Sequence, residues 1–320
     1  MITLRELSAK LLKEKSAALF CHAHPDGDTV GSACALKLAL AKKGVRADVF
    51  CTDLIPQKYN FLPEPQKIIS DYDGDFKEYS ALIAIDNAEI TRLGDFAEAF
   101  NAHGNTYSVD HHISNNCYAD FNYVDCKASN AENVFALITE MQAEITPEIA
   151  NLLAMGVMTD TGGFRHKNVT AETFYSAGKL VEAGADMNDL YFHAFTRQRK
   201  ERAKLFGLTM SKIRYFHGGR FAVASVLLKD LVLTGAKQDE TEGFIDFVMG
   251  VDGVEVGACI METDSNKFKI SLRSKGVDVN AIASVFGGGG HKLASGCKIT
   301  GEYEEVVDKL SFAVSRYLED

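Results

Sequence analysis

The stretch His22-Ala23-His24-Pro25-Asp26-Gly27-Asp28-Thr29-Val30-Gly31-Ser32 packs two imidazoles and two carboxylates into seven residues, directly after the apolar run Ala17-Ala18-Leu19-Phe20-Cys21. A continuous apolar run of that length predicts a buried parallel strand. Beyond the acids, Ala33 to Leu40, with Leu36 and Leu40 on one face, predicts a helix opened by Gly31-Ser32, whose backbone N–H groups could steady a phosphate or a carboxylate. The acids therefore fall on a strand-to-helix turn at the carboxyl edge of an α/β sheet, where open sheets bind ligands. Two carboxylates one glycine apart cannot both be buried as anions without compensation. A divalent cation supplies it. Standing alone, Asp26 and Asp28 would read as an Asp-Gly turn with a helix N-cap.

They do not stand alone. Leu82-Ile83-Ala84-Ile85 runs into Asp86, Tyr107-Ser108-Val109 runs into Asp110-His111-His112, and an apolar, helical Leu152 to Met158 runs into Thr159-Asp160-Thr161-Gly162-Gly163. Taken singly, each has an ordinary reading as a cap, a turn or a surface histidine. Jointly, His22, Asp26, Asp28, Asp86, His111 and Asp160 offer four carboxylates and two imidazoles with no cysteine among them. Oxygen-rich sites with some imidazole suit Mn²⁺ or Mg²⁺ better than structural Zn²⁺, which prefers a closed sulfur and nitrogen set. Six donors suffice for two ions with one bridging carboxylate, the usual clamp for phosphoryl transfer, and imply a phosphate-ester substrate.

His22-x-x-x-Asp26-x-Asp28, Asp86, the Asp110-His111-His112 triplet and Asp160, in that order, resemble the four motifs of the DHH phosphoesterase superfamily. Gly287-Gly288-Gly289-Gly290-His291-Lys292-Leu293-Ala294-Ser295-Gly296 resembles the glycine-rich signature of the DHHA1 domain that often accompanies it. Together the two cover the chain. The resemblance implies a fold of two α/β domains: an N-terminal parallel-sheet DHH domain over 1–185, a helical connector over 186–217 and a smaller DHHA1 domain over 218–320, with the active site in the cleft. It implies hydrolysis of very short oligoribonucleotides (nanoRNA, linear dinucleotides such as pApA) to mononucleotides, and of 3′-phosphoadenosine 5′-phosphate (PAP) to AMP.

Residue by residue, it implies that His22, Asp26 and Asp86 hold one ion while Asp28, Asp86, His111 and Asp160 hold the second, so that Asp86 bridges. Mn²⁺ is the first choice of ion, with Mg²⁺ or Co²⁺ as alternatives. Asp110 then orients an imidazole and His112 is the group nearest the scissile phosphate, so Asp86, Asp110 and His112 form the catalytic set. His24 falls where the family pattern varies and is a neighbour of the site. Arg165 and Arg273 are the phosphate-contacting candidates, joined by Ser274 beside Arg273 and by Gly288, Gly289, Gly290 and His291 of the glycine-rich loop. The helical basic cluster from Arg197 to Lys204 reads instead as a solvated face.

At 320 residues and 46% hydrophobic, the chain can bury two cores. A formal charge of −10 argues against tight binding to long duplexes, yet a substrate of a few nucleotides needs only a local basic pocket. No run reaches the roughly 18–20 apolar residues needed to cross a bilayer, and no signal-peptide layout begins the chain, so the cytoplasm is expected. The seven cysteines show no CxxC pair and are expected to be buried free thiols. Strands are expected near 17–22, 46–51, 81–86 and 106–110, with helices near 30–43 and 91–102 and only helices from 110 to 217. Three further strands, 221–226, 254–261 and 268–272, and a helix near 302–318 follow. The expected partners are short single-stranded RNA, linear dinucleotides and PAP, with no membrane; the oligomeric state is open, a homodimer included. Competing readings are a cyclic-dinucleotide phosphodiesterase, a pyrophosphatase or exopolyphosphatase, and a non-catalytic nucleotide sensor.

Overall fold

The computed structural model describes residues 1–318, which divide into two units, Met1–Arg197 and the chain from Gln198 onward. In the first unit the order is α1 (Leu4–Leu11), β1 (Ser16–Phe20), α2 (Gly27–Lys42), β2 (Arg46–Phe50), β3 (Ala81–Ile85), α3 (Ala97–Ala102), β4 (Thr106–Asp110) and β5 (Phe121–Val124). Four more helices follow: α4 (Asn130–Glu140), α5 (Pro147–Asp160), α6 (Ala171–Glu182) and α7 (Met187–Tyr191). All five strands are parallel, in the order β2-β1-β3-β4-β5.

Every residue of β1 and β3 is buried, which is why both read as unbroken apolar runs. Alternation then sorts them onto two faces. Ala17, Leu19, Ile83 and Ile85 join the core formed with α1, α2, α4 and α5, whereas Ala18, Phe20, Leu82 and Ala84 meet Phe50, Phe76, Phe96 and Phe100 on the other side. The chain leaves β1 toward β2 on one side, while β3 lies on the other. The carboxyl ends of β1 and β3 thus flank the switch point at which sheets of this kind bind ligands.

Helix α2 starts at Gly27 with Asp26 as its N-cap, so Gly31 and Ser32 lie in its second turn and do not open it. Their N–H groups belong to the helix ladder and are not available to a phosphate. Gly31 serves packing instead: a Cβ there would sit 2.2 Å from the Leu152 carbonyl oxygen, so its absence lets α2 and α5 approach closely. The expected helix over 91–102 is a 3₁₀ segment, Ile90–Phe96, followed by α3, with the break at Gly94 (φ 58°). Strand β5 lies within the stretch expected to be helical; it is four residues long, and the buried amide of Asn122, bonded to the Ala119 and Cys117 carbonyls, interrupts its apolar pattern.

The second unit contains α8 (Lys200–Met210), β6 (Arg214–Phe216), β7 (Phe221–Val226), α9 (Leu228–Thr234), α10 (Phe244–Met249), β8 (Val256–Asp264) and β9 (Lys267–Ser274). It ends with α11 (Val279–Ser284), β10 (Gly289–His291), β11 (Ala294–Thr300) and α12 (Tyr303–Ser315). Its mixed sheet runs β10-β11-β9-β8-β7-β6, with only β7 and β8 parallel. Strands β6, β10 and β11 exceed the three expected: two are three residues long, and β11, whose buried positions Ser295, Cys297 and Ile299 alternate, opens on the small residues Ala294, Ser295 and Gly296. All seven cysteines are free, but only five are buried as expected; Cys117 and Cys126 lie outside the helices and strands and are exposed. No helix among the described residues is long and apolar enough to cross a membrane.

Candidate metal centre

Strand ends deliver the donors. β1 leads to His22, β3 to Asp86 and β4 to Asp110, His111 and His112, while α2 contributes Asp26 and Asp28 and the last residue of α5 is Asp160. Asp86 has φ 59°, a left-handed conformation that a residue with a Cβ adopts only under constraint; its N–H is held by the Val109 carbonyl at 2.9 Å.

Asp86 stands at the middle of the cluster. Its Oδ2 is 3.6 Å from His22 Nε2, and its Oδ1 is 3.3 Å from His111 Nε2. His22 Nε2 also lies 3.7 Å from Asp26 Oδ1, and His111 Nε2 lies 3.4 Å from Asp160 Oδ2. These spacings exceed a charge-assisted hydrogen bond, and Asp86 Oδ1 is buried without any hydrogen-bond partner. Three sets of donors, His22/Asp26/Asp86, Asp28/His111/Asp160 and Asp86/His111/His112, each converge within 4.8 Å. All six residues expected as metal ligands are therefore brought together.

Both imidazoles are set for ligation. His22 Nδ1 faces the Ala23 carbonyl at 2.8 Å and His111 Nδ1 faces the Lys127 carbonyl at 3.1 Å, so each Nδ1–H has an acceptor and each Nε2 turns its lone pair toward the acids. Asp28 is fully buried. Its Oδ2 accepts from the Asn130 N–H at 2.6 Å, and its Oδ1 accepts from the Ala131 N–H at 2.8 Å and the Ser32 hydroxyl at 3.1 Å.

The electrostatics call for positive charge. Burial, then the charges of Asp86 and Asp160, push the Asp28 carboxyl upward; burial, then Asp86 and Asp26, push Asp160 up to about 7. Burial would also raise Asp86, but the imidazoles of His111 and His22 facing its two oxygens hold it below the ordinary range. Burial works against protonating His22 and His111, yet their carboxylate neighbours carry each up to about 10. Protons thus gather where a divalent cation would remove the same repulsion. With the orphaned Asp86 oxygen and the oriented Nε2 atoms, the donor set fits divalent ions.

Beside this cluster, His112 Nδ1 meets Asp110 Oδ1 at 2.7 Å, and the other oxygen of fully buried Asp110 accepts from Asn115 Nδ2 at 2.6 Å. The bond to Asp110 raises the His112 imidazole. His112 Nδ1 is 3.7 Å from Asp86 Oδ1, close enough to place it in the third donor set. His24 turns away, pairing with Asp53 at 3.2 Å.

The remaining expected contacts are dispersed. Arg165 Nε donates to the Gly162 carbonyl in the loop after Asp160. In the second unit, Arg273, Ala294 and His291 are register neighbours across β9, β11 and β10. Arg273 also lines a cavity of about 490 Å³ with Gln238, Lys269 and Ser271. Ser274 Oγ donates to the Val277 carbonyl. The Gly288 N–H is bonded to the Ala283 carbonyl and the Gly290 N–H to Asn280 Oδ1, while Gly289, Gly290 and His291 pair with β11 and are all exposed. Gly288 must be glycine, because a Cβ would lie 2.2 Å from the Gly296 carbonyl oxygen.

Sequence reasoning missed Ser32, Asn115 and Arg92. Ser32 and Asn115 act by spatial contact with Asp28 and Asp110. Arg92 comes from the 3₁₀ segment after β3 and places Nη2 3.0 Å from His22 Nδ1.

The DHH family, N-terminal domain, matches residues 16–157, and the DHHA1 domain matches residues 218–320. The bifunctional oligoribonuclease and PAP phosphatase NrnA of Thermus thermophilus is 31% identical, over 97% of this chain and 94% of its own. NrnA of Bacillus subtilis, of the same description, is 26% identical over 87% of each chain. The crystal structure of an exopolyphosphatase-related protein from Bacteroides fragilis superposes with a TM-score of 0.82 at 24% identity, over 98% of this chain and 96% of that one. By these matches the chain belongs to the DHH family of phosphoesterases, in the DHHA1-bearing form to which the NrnA proteins belong.

Proposed function

We propose that this protein hydrolyses very short oligoribonucleotides, including linear dinucleotides such as pApA, to mononucleotides, and PAP to AMP, with two Mn²⁺ ions at the centre around Asp86. The observation that carries the reading is the position of Asp86 between His22 and His111, one carboxylate oxygen toward each. His22, Asp26 and Asp86 would hold one ion, and Asp28, Asp86, His111 and Asp160 the other. Ions bound there supply charge neutralisation at the phosphate and activation of the attacking water.

The chain's own groups do the rest. Asn115 fixes Asp110, and Asp110 accepts the Nδ1 proton of His112, which leaves Nε2 as the nitrogen able to give a proton to a phosphoryl or leaving oxygen. Asp28, fixed by two backbone N–H groups and Ser32, holds its oxygens without reorganisation. Arg165 meets a phosphate, and Arg273, Ser274, Gly288, Gly289, Gly290 and His291 bind the nucleotide. This division of labour rests on the division into 1–185, 186–217 and 218–320. A cytoplasmic setting, where such nucleotides arise, accords with the substrate class.

The test is chromatographic product analysis after incubation with Mn²⁺ and PAP, linear diadenylate, a cyclic dinucleotide or pyrophosphate in parallel, with Asp86→Ala as control. AMP from the first two alone is the expected result. Cleavage only of the cyclic compound or of pyrophosphate would reassign the substrate, and binding without turnover would make the protein a sensor.

A further inference from the structure

Arg92 turns its guanidinium toward the His22 imidazole, on the nitrogen away from the acids. Its Nη2 lies 3.0 Å from His22 Nδ1, but the one hydrogen on that nitrogen has an acceptor in the Ala23 carbonyl at 2.8 Å. With His22 ligating an ion through Nε2, Nδ1 carries the proton and this contact sets N–H against N–H, two donors facing each other. If instead Arg92 donated to a bare Nδ1, the proton would sit on Nε2, which would then be useless as a ligand to any ion held with Asp26 and Asp86. Ligation by His22 and a hydrogen bond from Arg92 to His22 exclude one another.

No alternative partner is at hand. Although four carboxylates gather around His22 and His111, none lies within 4.0 Å of the Arg92 guanidinium among the described residues. The position is nonetheless built. The Ala23 N–H donates to the Arg92 carbonyl at 2.7 Å, tying its backbone to the end of β1, and Gly94 bends the chain where a Cβ would meet Thr52 Oγ1 at 2.7 Å. A half-buried guanidinium, anchored one imidazole ring away from the ligating nitrogen and left without an acceptor once His22 ligates an ion through Nε2, is arranged for an anion that arrives from outside.

We propose that Arg92 binds a non-bridging oxygen of the phosphate that is cut, stabilising charge on the side of His22 opposite to the carboxylates. This rests on the phosphoesterase reading given above. A planar guanidinium there donates to phosphate while the His22 Nδ1–H stays with Ala23, so both groups reach satisfied states only when substrate is present.

The test compares wild type, Arg92→Ala and Arg92→Lys, each loaded with Mn²⁺. It measures bound metal by elemental analysis, kcat and KM on pApA and on bis(p-nitrophenyl) phosphate, a diester without a terminal phosphate, and binding of inorganic phosphate by calorimetry. Expected are unchanged metal content, a loss of about 100-fold in kcat/KM for Arg92→Ala on both substrates, weaker phosphate binding, and an intermediate value for Arg92→Lys. Metal lost in proportion to activity would mean that Arg92 acts through His22, and would overturn the proposal. So would a loss confined to pApA, which would move the contact to the terminal phosphate, and so would unchanged kinetics. If wild type cleaves neither diester, the enzymatic reading fails on its own; calorimetry then decides, equal phosphate binding by wild type and Arg92→Ala counting against Arg92.

Discussion

Asp28 Oδ2 accepts a hydrogen bond from the Asn130 backbone N–H at 2.6 Å, so a carboxylate of α2 supplies the cap that Ser129, the N-cap residue of α4, does not. The acid proposed as a metal ligand also caps a helix. Asp28→Ala should therefore destabilise the metal-free protein by about 1–3 kcal/mol, by orphaning two buried N–H groups, in addition to lowering metal content. Urea denaturation in chelator would show it; an unchanged midpoint would confine Asp28 to ligation.

His112→Ala should leave bound metal intact while turnover falls by about 100-fold or more, since Asp110 already takes its Nδ1 proton. Elemental analysis beside kinetics separates the roles: joint loss would make His112 a ligand, as its place in the Asp86/His111/His112 set allows.

Gly31→Ala should destabilise the first unit by at least about 1–3 kcal/mol, because the new methyl meets backbone, the Leu152 carbonyl oxygen, and not a side chain that could swing aside. Thermal unfolding reads the cost. Since α2 bears Asp28 and α5 bears Asp160, metal affinity should fall with it, while substitution of Gly178, whose Cβ would meet nothing within 4 Å, should change neither.

Buried Glu64 accepts from Lys37 at 2.8 Å and is also bonded to Lys67. Burial works to raise its carboxyl, but the two lysines outweigh it and hold the group below its ordinary 4.5. A carboxyl depressed on folding contributes stability that is present above pH 4.5 and lost as pH falls through the lower folded value. Lys37→Met should therefore destabilise the protein at pH 7 and flatten its acid-induced loss of stability below pH 4.5, which denaturation midpoints across that range would record.

Arg273→Ala should raise KM for dinucleotides about ten-fold or more with bound metal unchanged, because Arg273 belongs to the second unit and lines its cavity of about 490 Å³. Equal KM values would remove Arg273 from substrate binding.

The donors were legible because each follows an apolar strand or helix whose burial leaves a clear pattern, as at Leu82 to Ile85 before Asp86. What escaped sequence reading depends on contacts between distant segments or on short elements. Asn115 matters through Asp110, and Arg92 through the tie between its carbonyl and Ala23. The start of α2 was placed late because Gly27 and Asp28 are poor helix residues, outweighed here by the Asp26 cap and by burial. Strand β5 was hidden by Asn122, and β10 is built from glycines, which carry no strand preference.

The centre draws its donors from three strand ends and two helices spread between His22 and Asp160. An unfolded chain keeps only His22, Asp26 and Asp28 near one another, so the remaining affinity exists only while the whole first unit is assembled. Ions held there would be thermodynamically linked to global folding, and their concentration would set the native population. Release of an ion held there would report the same cooperative openings as backbone amide exchange in β1 and β3. Scarcity of the ion would shorten the protein's lifetime against proteolysis as well as silence its chemistry.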